Sequence, residues 1–334
     1  MRNVNNRSQE RYILRQTENP CSDSAWSGKH RLFHALMLLL ATAAVSGCRM
    51  DLMNPKGQIA AEEKALIITA TALMSIVVIP VIAMTLGFAW KYRESNVKAA
   101  YTPNWAYSHR IEAIVWAVPI AIILVLGTIT WKTTHSLDPY RPLNSPVKPI
   151  TIDVVALDWK WLFIYPDQHI ATVNEVAFPS NTPVNFRITS DTVMNAFFIP
   201  QLGSQIYAMA GMQTQVNLIA DTPGVYDGLS ANFSGAGFPD MRFKAHATSQ
   251  SDFDAWVVKV KSSPMHLGLD NYNDLAKPSA KHPIQYFSDV QPVLYAAVLD
   301  KYMDKSSGLK LADKICLPKV VASVATTNKD RAEK

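Results

Sequence analysis

Residues 66–90 read LIITATALMSIVVIPVIAMTLGFAW, a run of 25 positions without a charged side chain. A second uncharged run of 19 positions, AIVWAVPIAIILVLGTITW, occupies residues 113–131. About 20 apolar residues in a helix are enough to cross the hydrocarbon core of a bilayer. Residues 65–131 are therefore predicted to form a hairpin of two transmembrane helices. Proline inside each run, Pro80 and Pro119, is tolerated where neighbouring helices satisfy the freed carbonyls.

The loop between the runs, residues 91–111, indicates the orientation of the hairpin. Basic residues concentrate in cytoplasmic loops of membrane proteins, so this loop is predicted to face the cytoplasm and both flanking segments to face the outside. The charges that carry this argument are four basic residues and two acidic ones, Lys91, Arg93, Lys98 and Arg110 against Glu94 and Glu112.

The N-terminal segment has the order of a bacterial export signal. Residues 1–47 carry six Lys or Arg against three Asp or Glu, and residues 32–45 form an apolar run that ends in Val45-Ser46-Gly47-Cys48. Small residues directly before a cysteine resemble a lipobox. We expect residues 1–47 to be a lipoprotein signal peptide, Cys48 to be lipidated, and residues 48–64 to lie outside a bacterial inner membrane. The alternative is a first transmembrane helix, but fourteen residues span only ~21 Å.

From residue 147 the chain changes to short β-branched and aromatic runs separated by turn residues. This pattern predicts an all-β Greek-key sandwich or barrel over residues 147–261, without a long helix. Residues 262–334 are predicted to form an appended, aromatic-containing arm with a helix at Val290–Tyr302 and a polar tail. The eight predicted strands are Ile150–Ala156, Lys160–Tyr165, Pro183–Thr189, Ala196–Ile199, Gln213–Ile219, Gly224–Leu229, Arg242–Thr248 and Phe253–Lys259.

Composition excludes several functions. The net charge is +5, but without the leader it falls to +2, and no basic stripe with interleaved aromatics suggests nucleic-acid binding. Cys21, Cys48 and Cys316 are too few and too scattered for a disulfide framework or a zinc site. Asp158 and Glu175 have no nucleophile and base beside them in sequence. The chain contains no phosphate-binding loop, dinucleotide fingerprint or serine-hydrolase elbow.

The order of lipobox, two-span hairpin and outer β-domain resembles subunit II of the haem-copper respiratory oxidases. The motifs that carry this resemblance are HRIEAIVWAVP at 109–119, DWKW at 158–161, DTVMNAFFIP at 191–200, PGVY at 223–226 and SANFSG at 230–235. The resemblance implies that the outer domain is a cupredoxin-like barrel. In the members that oxidize cytochrome c, this barrel holds a binuclear copper centre.

The copper-ligand positions of that family are degenerate in this chain. Two bridging thiolates are needed to hold a mixed-valence copper pair, because soft sulfur stabilises Cu(I), and residues 150–260 contain no cysteine. The family's two Cys positions fall on Ser230 and Ser234, its two His positions on Asn195 and Phe238, its acidic position on Asn232, and only the Met position is kept, as Met241.

This departure is similar to the quinol-oxidizing branch, whose bo-type members also carry an aromatic-rich arm. The resemblance then implies a non-catalytic, structural subunit of a proton-pumping ubiquinol oxidase that reduces oxygen to water. It implies no cofactor bound by this chain, haem b, haem o and copper in subunit I, and no contact with cytochrome c. The implied partners are subunit I, further membrane subunits (III and IV) and membrane lipid. Trp159 is implied to serve strand packing.

Two alternatives remain open at this point. One is a cytochrome c oxidase subunit with an aberrant copper site, which the missing thiolates disfavour. The other is a free membrane-anchored lipoprotein that binds a ligand or delivers copper, although a copper chaperone would need a Met, His and Cys cluster that the outer domain lacks.

Glu112 is the ionizable residue of greatest interest. It stands at the cytoplasmic entrance of the second span, where a carboxylate is costly unless it is paired or hydrated. The resemblance implies a place beside the mouth of a proton-uptake path in subunit I. A simple interfacial anchor is the alternative.

Overall fold

The computed structural model describes residues 37–38, 51–100, 104 and 106–302. The chain divides into two compact units, Met1–Met50 and Asp51–Lys334. Only two residues of the first unit are described, and Cys48 lies outside the described residues. The second unit contains a helical hairpin, a β-sandwich and an arm.

The hairpin consists of α1 (Gln58–Lys91) and α2 (His109–Ser136). Both helices are long and apolar enough to cross a membrane. They extend past the uncharged runs at both ends, so that α1 measures about 51 Å and α2 about 42 Å at 1.5 Å per residue. Hydroxyl groups within the spans bond to backbone carbonyls four residues earlier, as Thr69 does with Ala65 (2.8 Å). Such bonds leave few polar groups unpaired in hydrocarbon.

The outer domain is a sandwich of two sheets, and it confirms the predicted cupredoxin-like fold class. The strands are β1 (Ile150–Leu157), β2 (Lys160–Tyr165), β3 (Ile170–Val173), β4 (Glu175–Pro179), β5 (Val184–Ser190), β6 (Asn195–Phe198), β7 (Ile206–Ala208), β8 (Thr214–Leu218), β9 (Gly224–Ser230), β10 (Arg242–Thr248) and β12 (Gln285–Phe287). One sheet has the order β12-β3-β2-β1-β5-β8, and the other has the order β4-β10-β9-β6-β7. Strands β1 and β2 pair antiparallel, whereas β1 and β5 pair parallel.

Aromatic rings fill the space between the two sheets. Phe197 and Phe243 stack with ring centroids 5.2 Å apart, and Trp161 packs edge-on against Phe197 at 5.5 Å. An ion pair lies on the opposite face of the first sheet, where Arg187 Nε is 2.5 Å from the carboxylate of Asp153 and the guanidinium lies over the ring of Tyr295. Burial raises the pKa of Asp153, and the neighbouring guanidinium opposes that rise. The space between the two sheets is therefore filled by apolar and aromatic side chains, and this charge pair lies outside it.

The prediction of a strand at Phe253–Lys259 is wrong. Residues Gln250–Lys261 form a helix, α3, whose first turn is capped by the Ser249 hydroxyl accepting from the Asp252 backbone N–H at 3.1 Å. Its inward face repeats at helical spacing, with Phe253 and Val260 buried seven residues apart. The three successive β-branched or aromatic residues at 256–258 favour a strand locally and obscure this helical period. Because the segment is a helix, the outer domain is not purely β.

Other boundaries also differ from the prediction. Strands β3, β4 and β7 were not predicted, because each has only three to five residues and little alternation. The helix expected at Val290–Tyr302 is confined to α5 (Leu294–Asp300), preceded by the short strand β13 (Asp289–Val290). Two further short elements, β11 (His266–Leu267) and α4 (Leu269–Leu275), complete the arm.

The arm packs on the outer face of the first sheet. It buries Leu267, Tyr272, Leu294 and Leu299 against side chains such as Leu162 of β2. Strand β12 pairs antiparallel with β3, which continues the sheet into the arm. The arm therefore forms a third layer of the outer domain.

Lys160 fastens the arm to the sheet. Its side chain is buried at the start of β2, and its ammonium donates to the Lys277 carbonyl (2.7 Å) and to the Ser279 hydroxyl (2.6 Å). Burial lowers the pKa of Lys160, and the carboxylate of Asp158 opposes this. A second contact also ties the arm to the sandwich, because Glu175 Oε1 accepts a hydrogen bond from the Tyr286 hydroxyl of β12 at 2.7 Å.

We expect Lys160→Met to loosen the arm. The change removes the donor of two part-buried acceptors, the Lys277 carbonyl and the Ser279 hydroxyl, and a typical hydrogen bond contributes about 0.5–1.5 kcal/mol. Hydrogen exchange of residues 277–282 should accelerate, and the free energy of unfolding should fall by a similar amount.

The matched control for this change is Lys277→Met. Within the part of the chain that the structure describes, the Lys277 ammonium pairs with the exposed carboxylate of Asp274, and solvent screens such an exposed pair so that it contributes little to stability. Equal exchange rates in both variants would show that Lys160 does not hold the arm.

Candidate functional site

The degenerate copper positions gather at one end of the sandwich. Strand β6 supplies Asn195, the end of β9 supplies Ser230, and the loop from β9 to β10 supplies the rest. Strands β6 and β9 lie side by side, with Phe197 opposite Ser230. The structure thus brings the positions Asn195, Ser230, Asn232, Ser234, Phe238 and Met241 into one region.

Hydrogen bonds occupy the polar groups of this region. Ser230 Oγ donates to Asn195 Oδ1 at 3.1 Å, and both side chains are buried. Asn195 Nδ2 donates to the Val193 carbonyl (3.1 Å), and Asn232 Nδ2 donates to the Met194 carbonyl (3.0 Å). These side chains join the loop before β6 to the loop between β9 and β10.

The remaining positions contribute packing. Met241 is buried, and its sulfur lies 4.0 Å from Ser234 Oγ. Phe238 begins a 3-10 helix, Phe238–Asp240, and its ring packs edge-on against Phe233 with centroids 5.6 Å apart. The Phe233 side chain itself is 75% exposed. An aromatic pair thus occupies the place where an imidazole ligand would stand.

Trp159 forms one wall of the region. It lies in the turn between β1 and β2, with φ of 64°, instead of on a strand. Its indole Nε1 donates to the Ser234 carbonyl at 3.1 Å. A Cβ built on Gly237 would lie 2.3 Å from the indole ring, so only glycine permits this approach. Trp159 therefore holds the loop that carries the former ligand positions.

The residues present do not fit a binuclear copper centre. Two hydroxyls, two amides and a phenyl ring stand where the family has thiolates, imidazoles and a carboxylate, and a lone thioether remains. Ser230 and Asn195 are hydrogen-bonded to each other. Among the described residues, no group of three or more His, Cys, Asp or Glu side chains could hold a metal ion. We derive no electron transfer through this region.

The two histidines of the sandwich, His169 and His246, lie outside the region of the former copper positions. His169 stands in the turn between β2 and β3, with φ of 56°. His246 on β10 has its Nε2 3.6 Å from Glu175 Oε2. Glu175 Oε1 also accepts from the indole of Trp256 (3.0 Å) and from Tyr286. This carboxylate joins β4, α3 and the arm, which suits a structural role.

Glu112 is far from the copper positions. It lies in the first turn of α2, where a carboxylate is favoured by the helix dipole. About 36 Å of helix separates it from Ser136 at the other end of α2. The side chain is exposed in the isolated chain. Glu112 thus lies at the end of α2 remote from the sandwich, whereas the former copper positions lie in the sandwich that follows the other end of α2.

Sequence reasoning missed the importance of Lys160. The available signal was a lysine between Trp159 and Trp161 at the start of a strand whose residues are all buried. A buried ammonium requires acceptors. Those acceptors come from an arm more than 100 residues later, and no local pattern reveals them.

Two family models match the chain. Residues 167–247 match "Cytochrome C oxidase subunit II, periplasmic domain", and residues 261–306 match "COX Aromatic Rich Motif". The first range includes all six former ligand positions. The second coincides with the arm that packs on the outer sheet.

Three curated relatives cover most of the chain. The "Cytochrome bo(3) ubiquinol oxidase subunit 2" of Pseudomonas aeruginosa is 64% identical over 79% of this chain and 80% of its own length. The protein of the same name from Pseudomonas putida is 59% identical over 83% of this chain and 88% of its own length. The "Ubiquinol oxidase subunit 2" of Acetobacter aceti is 54% identical over 81% of this chain and 90% of its own length. The chain belongs to the ubiquinol oxidase subunit 2 family.

Proposed function

We propose that this chain is the copper-free subunit 2 of a terminal ubiquinol oxidase in a bacterial inner membrane. The observation that carries the proposal is a complete cupredoxin-like sandwich in which a Ser230–Asn195 hydrogen bond replaces two metal ligands. The identities of 54–64% to ubiquinol oxidase subunits support it. The complex oxidizes ubiquinol and reduces oxygen to water, with haem b, haem o and copper in subunit I.

The hairpin supports a place among other membrane subunits. The side chains of Ile79, Leu86, Ile114 and Leu124 are each more than 60% exposed, and among the described helix residues only Ala60 is buried. Lipid covers part of such a surface, and close packing with other helices stabilises it further. We propose that subunit I, with subunits III and IV beside it, covers the rest.

The outer domain is proposed to cap the outward face of the assembly. Its loops expose apolar side chains next to the former copper positions, with Val193 50% exposed and Phe233 75% exposed. An exposed apolar patch is typical of a protein interface. The domain therefore serves assembly, and electrons pass directly from ubiquinol to the centres of subunit I.

Co-purification tests the proposal. A full-length chain with a C-terminal affinity tag, extracted in mild detergent, is expected to bring a haem-containing subunit with it, visible as reduced haem absorption bands. Deletion of the gene is expected to remove ubiquinol-dependent oxygen uptake from membranes. A tagged chain that purifies alone and without haem would instead identify a free lipoprotein.

We propose that Glu112 assists proton uptake at the cytoplasmic surface. We expect Glu112→Ala to slow oxygen reduction roughly two- to tenfold, less than the loss of a group that transfers protons at the reacting atoms. The measurement is ubiquinol oxidase turnover of the assembled complex, normalised to haem. Glu94→Ala, which removes an exposed carboxylate of the loop between α1 and α2, is the control. Unchanged turnover in Glu112→Ala would reduce Glu112 to an interfacial anchor.

We propose that Cys48 becomes the lipidated N-terminus of the mature chain after residues 1–47 are removed. Cys48→Ser is then expected to abolish incorporation of radiolabelled fatty acid, because the hydroxyl does not replace the thiolate in thioether formation. Cys21→Ser, within the proposed leader, is the control and should leave labelling intact. Full labelling of the Cys48→Ser protein would exclude the lipobox.

A further inference from the structure

A polar cavity lies where the hairpin joins the outer domain. Its volume is about 170 Å³, and it lies among the ends of both helices and the linker that follows α2. The linker is held in place because Asn217 Nδ2 donates to the carbonyls of Pro139 (3.1 Å) and Arg141 (3.3 Å). The polar residues that line the cavity include Gln58, Glu62, Ser136, Asp138, Arg141 and Asn217.

An apolar groove on α2 leads toward this cavity. It is lined by Leu124, Val125, Thr128, Ile129 and Lys132. The Thr128 hydroxyl donates to the Leu124 carbonyl at 2.8 Å, so the polar atom of this residue is already paired within the helix.

The groove and the cavity share one stripe of the helix. Val125, Ile129, Lys132 and Ser136 follow the spacing i, i+4, i+7, i+11, which stays within about 40° of the direction of the first residue at 3.6 residues per turn. The stripe is about 16 Å long at 1.5 Å per residue. An elongated molecule can therefore lie with its apolar part in the groove and its polar end in the cavity.

Side chains of both charges line the groove and the cavity. Lys132 at the upper end of the groove and Arg141 in the cavity form no salt bridge within the part of the chain that the structure describes. Both side chains are exposed and available to an anion. The exposed carboxylates of Glu62 and Asp138 also line the cavity, together with the C-terminal end of α2, where the helix dipole is negative.

We propose that this groove and cavity bind one phospholipid whose headgroup carries a phosphate and a primary ammonium, that is, a phosphatidylethanolamine. Lys132 and Arg141 bind the phosphate, Glu62 and the α2 C-terminus attract the ammonium, and an acyl chain lies along Val125 and Ile129. The inference rests on the proposed topology, in which this end of the hairpin lies at the outward-facing surface of the inner membrane. Trp131, 71% exposed at the end of the apolar run, marks the same depth.

The test uses the whole tagged complex in lipid nanodiscs that contain a photoactivatable phosphatidylethanolamine with the reactive group near the headgroup. Crosslinked peptides are mapped by mass spectrometry. We expect labelling within residues 124–144, and we expect unlabelled phosphatidylethanolamine to compete for it better than phosphatidylglycerol, which lacks the ammonium.

The variant Lys132→Gln/Arg141→Gln is expected to lower this labelling roughly tenfold, because it removes two charge-assisted hydrogen bonds to the phosphate. Lys148→Gln, in the same linker but outside the residues that line the cavity, is the matched control and should label as the parent does.

Three results would overturn the inference. Equal competition by the two lipids, with equal labelling of the double variant, would show an unselective lipid surface. Labelling of α1 without labelling of residues 124–144 would show that a neighbouring subunit fills the groove, and absence of labelling on both helices would show that other subunits cover the hairpin here. A tagged chain that purifies without haem would instead contradict the proposed function, so the two failures are distinguishable.

Discussion

The structure depends on the rule that hydrocarbon accepts no unpaired backbone group. Two uncharged runs satisfy that rule as helices, and an even number of crossings returns the chain to the side from which it started. In the proposed topology, the segment before α1 and the sandwich after α2 therefore share one side of the membrane. They also touch, because the Lys56 N–H donates to the Gln201 carbonyl at 2.8 Å and the Asp221 N–H donates to the Lys56 carbonyl at 2.8 Å. The membrane constraint thus sets where the sandwich stands, and these contacts fix its attachment.

The sandwich shows how a cupredoxin-like fold persists without its metal ligands. A binuclear copper centre would tie β6 to the loop before β10 through its ligands, and here hydrogen bonds and packing make the same connections. Ser230 bonds to Asn195, Asn232 bonds to the loop before β6, and Trp159 holds the Ser234 carbonyl. Each such bond contributes only about 0.5–1.5 kcal/mol. The arm adds a third layer, fastened by the buried Lys160 ammonium.

Much of this could be predicted from the sequence, and the reasons for the failures are physical. The spans follow from uncharged length alone, and seven of the eight predicted strands lie within one residue of the observed bounds because their residues are β-branched and bounded by turns. The helix at Gln250–Lys261 was missed because Val257 and Val258 favour strands locally, whereas burial of Phe253 and Val260 on one face decides the outcome. The former copper positions were predictable through their motif. The partners of Lys160 were not, since Lys277 and Ser279 lie more than 100 residues away.

The central claim is that electrons enter the complex from ubiquinol and not through this chain. It is tested most directly by oxygen uptake of the complex that purifies with the tagged chain, with ubiquinol and reduced cytochrome c compared as donors. We expect oxygen uptake with ubiquinol as donor and none with reduced cytochrome c, together with haem b and haem o bands in the spectrum. Uptake from reduced cytochrome c at a comparable rate would contradict it, because it would require an electron-entry site that Ser230, Ser234, Asn195 and Phe238 do not provide.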